Sequence, residues 1–164
     1  MISVATIHNA EDFAGMRKAG QLAAETLDMI AEYVKPGVTT ESLDKRCFEF
    51  ADKNNACIAP LFYKGFPKSV CTSINHVICH GIPSSRVLEE GDIVNIDVTV
   101  IVDGWHGDTS RMYKVGKINN KAQKLIDCTY EAMMLGINEI APNKKTGDIG
   151  NAIQTYSEAQ SYSA

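Results

Sequence analysis

The sequence predicts an α+β protein in which an antiparallel sheet is covered by helices. Three observations carry this. From Ile93 to Val102 the chain alternates strictly, with Val94, Ile96, Val98, Val100 and Val102 on one face and Asn95, Asp97 and Thr99 on the other. That is the period of a strand with one face in a core. Asp103-Gly104 follows at once, the dipeptide that a two-residue type I′ turn needs, so the chain returns as an antiparallel hairpin. Long segments on both sides of the hairpin carry apolar residues at helical spacing instead.

The first of these runs from Asn9 to Val34, with Phe13, Met16, Gly20, Ala23, Leu27, Ile30 and Val34 marking one face. Asn9 suits its N-cap, Asp12 lies three residues on, and Pro36-Gly37 supplies the stop. A second helix begins after Thr39 or Thr40 and reaches about Lys53, with Leu43, Cys47 and Phe50 inward and Asn54-Asn55 ending it. Cys47 reads as a core residue. Short strands follow at Cys57–Ala59, Ser69–Ile74 and Val77–Ile82, separated by the aromatic loop Pro60–Pro67 and by Asn75-His76. Beyond the hairpin, Asn120–Ile140 forms a third helix with Leu125, Thr129, Ala132, Met133, Ile137 and Ile140 on one face. Met133 and Met134 read as core. Pro142 breaks this helix, and Thr146 caps a fourth that carries Ile149, Ala152, Ile153 and Tyr156.

A length of 164 residues suits a single domain over 1–164 with a sizeable core, and 45% hydrophobic with 22% charged residues is ordinary for a globular protein. A formal net charge of −4, with no basic run, offers no attractive field to nucleic acid or to an anionic membrane. No apolar stretch approaches the roughly 18 residues of a membrane span. The start, MISVATIHNAEDF, has neither the basic region nor the apolar run of a secretory leader. Five cysteines without a C-x-x-C fit reduced thiols, and the expected location is the cytoplasm.

Chemistry concentrates on the hairpin. If Val102 pairs with Trp105, Thr99 faces Asp108 and Asp97 faces Ser110, which makes the two aspartates diagonal neighbours about 7–8 Å apart at the backbone. Two converging carboxylates without a cation repel, and a pair of divalent metals would use both as ligands. The alternative is an ordinary solvated strand face, although Trp105, His106 and Gly107 crowd the acids, and Gly107 permits a bulge that would re-aim Asp108.

The run VCTSINHVICHGIP holds the most reactive side chains. Cys79 and His80 are adjacent, and adjacent strand residues point to opposite faces, so a cysteine–histidine pair needs an irregularity. His80 is either a hydrogen-bonded loop residue or a donor to a substrate carbonyl or oxyanion. His76 and His106 are weaker candidates, and His8 flanks the first helix cap. Tyr63 and Phe66 are either local packing or the wall of an apolar pocket.

Taken together, CTSINHVICHGIP, GDIVNIDVTVIVDGWHGDTSRMYKVG, PGVTTESLD and YKGFPKSVC resemble the methionine aminopeptidases of the bacterial and organellar type I class. The resemblance runs from near residue 10 to the last few residues. It implies the N-terminal portion of a creatinase-like "pita-bread" fold. It also implies a centre of two divalent ions (cobalt, manganese, iron or zinc) and hydrolytic removal of the initiator methionine from nascent polypeptides, with transient ribosome contact. Asp97 and Asp108 match the family's aspartate ligands, and His80 the histidine that contacts substrate. Tyr63, Phe66 and Cys71 match positions lining the methionine pocket, Phe66 standing where some relatives carry tyrosine. Asn75 and Val77 match a peripheral monovalent-cation site. The family's other ligands, one histidine and two glutamates, together with the glutamate assigned as general base, are expected beyond residue 164. Two competing readings are an X-Pro-type peptidase of the same architecture and a non-catalytic relative that binds a peptide or partner.

Overall fold

The computed structural model describes residues 6–163, leaving the first five residues of the stretch read for a leader outside. The chain divides into two compact units between Ile118 and Asn119.

In the first unit, helix α1 spans Ala10–Ala31. The Asn9 side chain accepts from the Glu11 and Asp12 backbone N–H groups at 2.8 and 3.3 Å, and Asp12 accepts in return from the Asn9 N–H at 2.9 Å. This reciprocal cap is the one Asn9 and Asp12 predicted. The helix stops three residues before the expected Val34, which is buried in the turn that follows. Its inward face is Ala19, Leu22, Ala23, Thr26, Leu27 and Ile30. Phe13 and Met16, assigned to that face by periodicity, are half exposed, while Gly15 between them lies against the Trp105 side chain. Helix α2, Thr40–Lys53, starts from an N-cap at Thr39 and buries Leu43, Asp44, Cys47 and Ala51.

The sheet has four strands: β1 Cys57–Ile58, β2 Cys71–Ile74, β3 Ile93–Val102 and β4 Trp105–Lys114. Strand β3 pairs antiparallel with β1 and β2 along one edge and with β4 along the other. Asp103 and Gly104 both take positive φ, 51° and 86°, as the type I′ turn requires. Val102 therefore faces Trp105, Thr99 faces Asp108 and Asp97 faces Ser110. The register runs unbroken over ten pairs, so the bulge that Gly107 permitted does not form. Gly107 instead lets α1 come close, since a Cβ there would overlap the Ala19 carbonyl.

Val94, Ile96, Val98 and Val100 are fully buried beneath α1 and α2, together with Leu27, Ile30, Leu43 and Val115. Each such side chain stabilises the fold by about 1.5–3 kcal/mol before entropy is counted. Tyr113 fixes α1 on this face by donating its hydroxyl to the Leu27 carbonyl at 2.6 Å.

The segment 77–82 is not a strand. His80 adopts φ +54°, which ends any extended run, and Ile78 and Ile82 are exposed instead of packed. Two backbone bonds, Thr72 N–H to the Gly81 carbonyl at 2.7 Å and Val77 N–H to the Ile74 carbonyl at 3.0 Å, tie the segment to β2. Gly81 is required there, because a Cβ would overlap the Thr72 carbonyl.

The second unit is a helical hairpin of α3, Asn120–Asn138, and α4, Thr146–Ala159. Cys128, Ala132, Gly136 and Ser157 are its buried residues. Gly136 seats the Ile149 and Ile153 side chains of α4. Met133, expected in the core, is 45% exposed, because the packed stripe runs through the smaller residues Cys128, Ala132 and Gly136. Thr146 is the first helical residue and not the cap; Lys145 precedes it, with its N–H held by Asp148 at 2.8 Å. Among the described residues no helix is long and apolar enough to cross a membrane.

Candidate active site

The face of β3 turned away from the core carries Asn95, Asp97, Thr99 and Ile101. Across the ladders, Cys71 of β2 and Ser110 of β4 both pair with Asp97, while Asp108 pairs with Thr99. This face floors a cleft of about 950 Å³. One wall is the loop 59–67, which supplies Pro60, Tyr63, Lys64, Phe66 and Pro67, and His80 and Ile82 come from the segment after β2. Asp97, Asp108, His80, Tyr63, Phe66 and Cys71 thus meet in one cavity. Both loop aromatics left open by the sequence line this cavity.

Each group is delivered by a local device. The Ala59 N–H donates to the Thr99 carbonyl at 2.9 Å, starting the loop at the strand. At its far end, the nearly buried Asp44 carboxylate of α2 accepts from the Ser69 and Val70 N–H groups at 2.7 and 3.1 Å and leads the chain into Cys71. His80 owes its direction to its left-handed backbone, the irregularity that strand geometry lacked. It lines the cleft whereas Cys79 does not.

The electrostatics follow from this crowding. Asp97 is held above the usual carboxylate range, first by partial burial and then by the Asp108 charge, with His80 acting in the opposite direction. The Cys71 thiol is pushed up to about 11 by burial, then by Asp97, Cys79 and Asp108. Cys47 reaches about 12, through burial and then Asp44, as befits an inert core thiol. Two neighbouring carboxylates that resist joint ionisation are relieved by a cation, and hard oxygen donors suit divalent ions. Among the described residues, however, no three or more His, Cys, Asp or Glu side chains cluster to enclose one. The aspartates fit as part of a metal site, since such ions take about four to six donors or more.

Asn75 and Val77 lie outside the cleft, in a small recess of about 280 Å³ shared with Thr72, His76 and Arg86. The Asn75 amide is committed to structure, donating to Asp92 at 2.8 Å and accepting from the Ile93 N–H at 3.1 Å. Among the described residues the buried Thr72 hydroxyl finds no hydrogen-bond partner there. His8 packs edge-on against Trp105 with ring centroids 5.7 Å apart. Ile101 and Lys64 line the cleft without having been singled out by sequence, Thr99 was placed on this face but given no role, and His106 was only a weaker candidate. Period two would have found three of these, because Thr99 and Ile101 share the face of Asp97, and His106 that of Asp108.

Known proteins share this sequence and this fold. A methionine aminopeptidase of Rickettsia prowazekii is 62% identical over 96% of the chain, and methionine aminopeptidase A of a Synechocystis strain is 52% identical over 96%. The chain spans 61% and 63% of the length of these two relatives. The crystal structure of methionine aminopeptidase from Rickettsia prowazekii superposes with a TM-score of 0.95 at 61% identity, over 96% of this chain and 64% of that one. The "pita-bread" architecture is therefore the fold of this chain. Metallopeptidase family M24 matches residues 14–164, spanning both units, and the chain belongs to that family.

Proposed function

We propose that this chain is the N-terminal portion of a metal-dependent aminopeptidase that removes methionine from the start of polypeptides, its two units being parts of one catalytic domain. The observation that carries the reading is the pair of carboxylates, Asp97 and Asp108, on the floor of an aromatic-walled cleft that also receives His80. Asp97 and Asp108 would hold part of a divalent-metal centre, with the remaining ligands supplied by chain outside these residues. When bound, the ions supply Lewis-acid activation of the scissile carbonyl; manganese, cobalt, iron and zinc all suit such donors. His80 donates a hydrogen bond to the substrate carbonyl and to the oxyanion that develops there. Tyr63 and Phe66 enclose an unbranched thioether side chain through sulfur–aromatic contact, and Cys71 closes the pocket beside Asp97. The recess at Asn75 and Val77 takes a monovalent cation, for which the unpaired Thr72 hydroxyl is a further oxygen donor. The substrates are nascent chains met in the cytoplasm, with transient ribosome contact.

Release of methionine from Met-Ala-Ser tests this, with manganese or cobalt added and Asp97→Asn as control. Turnover by the 164-residue chain, or by an extension to the relatives' length, that Asp97→Asn abolishes supports the proposal. Failure of both proteins to release methionine while the peptide still binds would establish the second reading, a non-catalytic peptide binder.

A further inference from the structure

The cleft is electrically lopsided. Its floor holds two carboxylates, and Lys64 is the sole lysine or arginine among the residues lining it. Lys64 makes no salt bridge among the described residues; its ammonium lies 5.4 Å from the Tyr63 ring centroid. The loop is built to present it. The Phe62 N–H closes onto the Phe66 carbonyl at 2.8 Å and the Phe66 N–H onto the Tyr63 carbonyl at 2.9 Å, which leaves Lys64 and Gly65 at the tip. Phe62, Lys64 and Gly65 take φ of 66°, 49° and 85°. Two non-glycine residues in the left-handed region within three positions are costly, and such strain collects where a side chain must be aimed. The cation thus belongs to the loop wall of the cleft and the anions to its strand floor.

We propose that Lys64 is a specificity-determining residue that selects peptides carrying a carboxylate shortly after the residue seated in the cleft. An amino terminus drawn to Asp97 and Asp108 leaves the following residues running outward along the loop wall. There Lys64 attracts an acidic side chain or the free terminal carboxylate of a short peptide, and repels a basic one. This inference rests on the cleft being a peptide site, as proposed above.

The test is calorimetric titration of the chain, with manganese present, against Met-Ala-Asp-amide, Met-Ala-Asn-amide and Met-Ala-Lys-amide, with mass spectrometry confirming intact peptide. Met-Ala-Ser as free acid and as amide separates the terminal carboxylate from the side chain. The expected result is a preference of about two- to fivefold for the aspartate over the asparagine peptide at low salt, shrinking as ionic strength rises. Lys64→Met abolishes that preference, and Lys64→Glu turns it toward the lysine peptide. Equal affinity for all peptides, or a preference that survives Lys64→Met, overturns the assignment while leaving the peptide site standing. No binding of any peptide overturns the cleft reading, and the role of Lys64 with it.

Discussion

The two faces of strand β3 share one backbone and behave oppositely. On one, Val94, Ile96, Val98 and Val100 are fully buried under α1 and α2; on the other, Asp97, Thr99 and Ile101 are only half-buried on the floor of a cleft. The first face concentrates the free energy of folding, and the second gathers like charges at a cost to it. Strict period two allows both, because neither face constrains the residue types of the other. The difference teaches that the site stays put although it is self-repelling, since its position is fixed by atoms on the far side of the same strand.

The comparison is broken most strongly from the buried side. Ile96→Ala leaves a cavity in a closed core and is expected to cost about 2–5 kcal/mol in a urea melt, whereas Thr99→Ala on the opposite face should change stability by less than about 0.5 kcal/mol. Similar losses at the two positions would sink the division. Next in size is Gly107→Ala, whose Cβ must push α1 away at Ala19. About 1–3 kcal/mol is expected, together with a lower manganese affinity because Asp108 is the next residue on the strand. Unchanged thermal stability would show that α1 gives way freely.

A smaller effect of opposite sign comes from the cleft side. The carboxyl of Asp97 is raised by burial and by Asp108. Below the unfolded value of about 3.9 it is protonated in both states. As pH rises from there through the raised folded value, the folded state alone bears the penalty, so stability falls. Asp97→Asn removes that fall and should stabilise the metal-free chain at neutral pH by up to about 1 kcal/mol, while weakening manganese binding. Denaturant melts at acid and neutral pH check the sign, and a destabilised Asn variant at pH 7 would contradict the repulsion. Smallest of all, thiol labelling at pH 8 should distinguish exposed Cys57 and Cys79 from buried Cys47, Cys71 and Cys128. Burial raises Cys71 to about 11 and Cys47 to about 12, so two fast thiols and three slow ones are expected in a reagent time course.

The hairpin was legible in the sequence down to its register, because Asp103-Gly104 admits one tight turn and the alternation admits one orientation. The pairing of Thr99 with Asp108, and so the convergence of the two acids, follows from those facts alone. The segment after β2 was not legible. Val77, Ile78 and Ile82 have the composition of a strand, and nothing local announces that His80 is left-handed or that Gly81 lies against Thr72; both are set by contacts with β2. The inward face of α1 was displaced for a related reason. Periodicity gives the spacing of a stripe, while the sheet decides which turns of the helix are covered. Gly107 was recognised as permissive, but what it permits depends on α1, distant in sequence.

The two-residue turn between β3 and β4 also bears on the order in which the molecule forms. Asp97 and Asp108 are brought together by closure of one hairpin, an event of roughly 1–10 μs, whereas β1 and β2 must first close much longer loops to reach β3. The carboxylates are thus adjacent before the walls of the cleft are assembled. A divalent cation held by both carboxylates would tie the two strands together at the earliest native contacts.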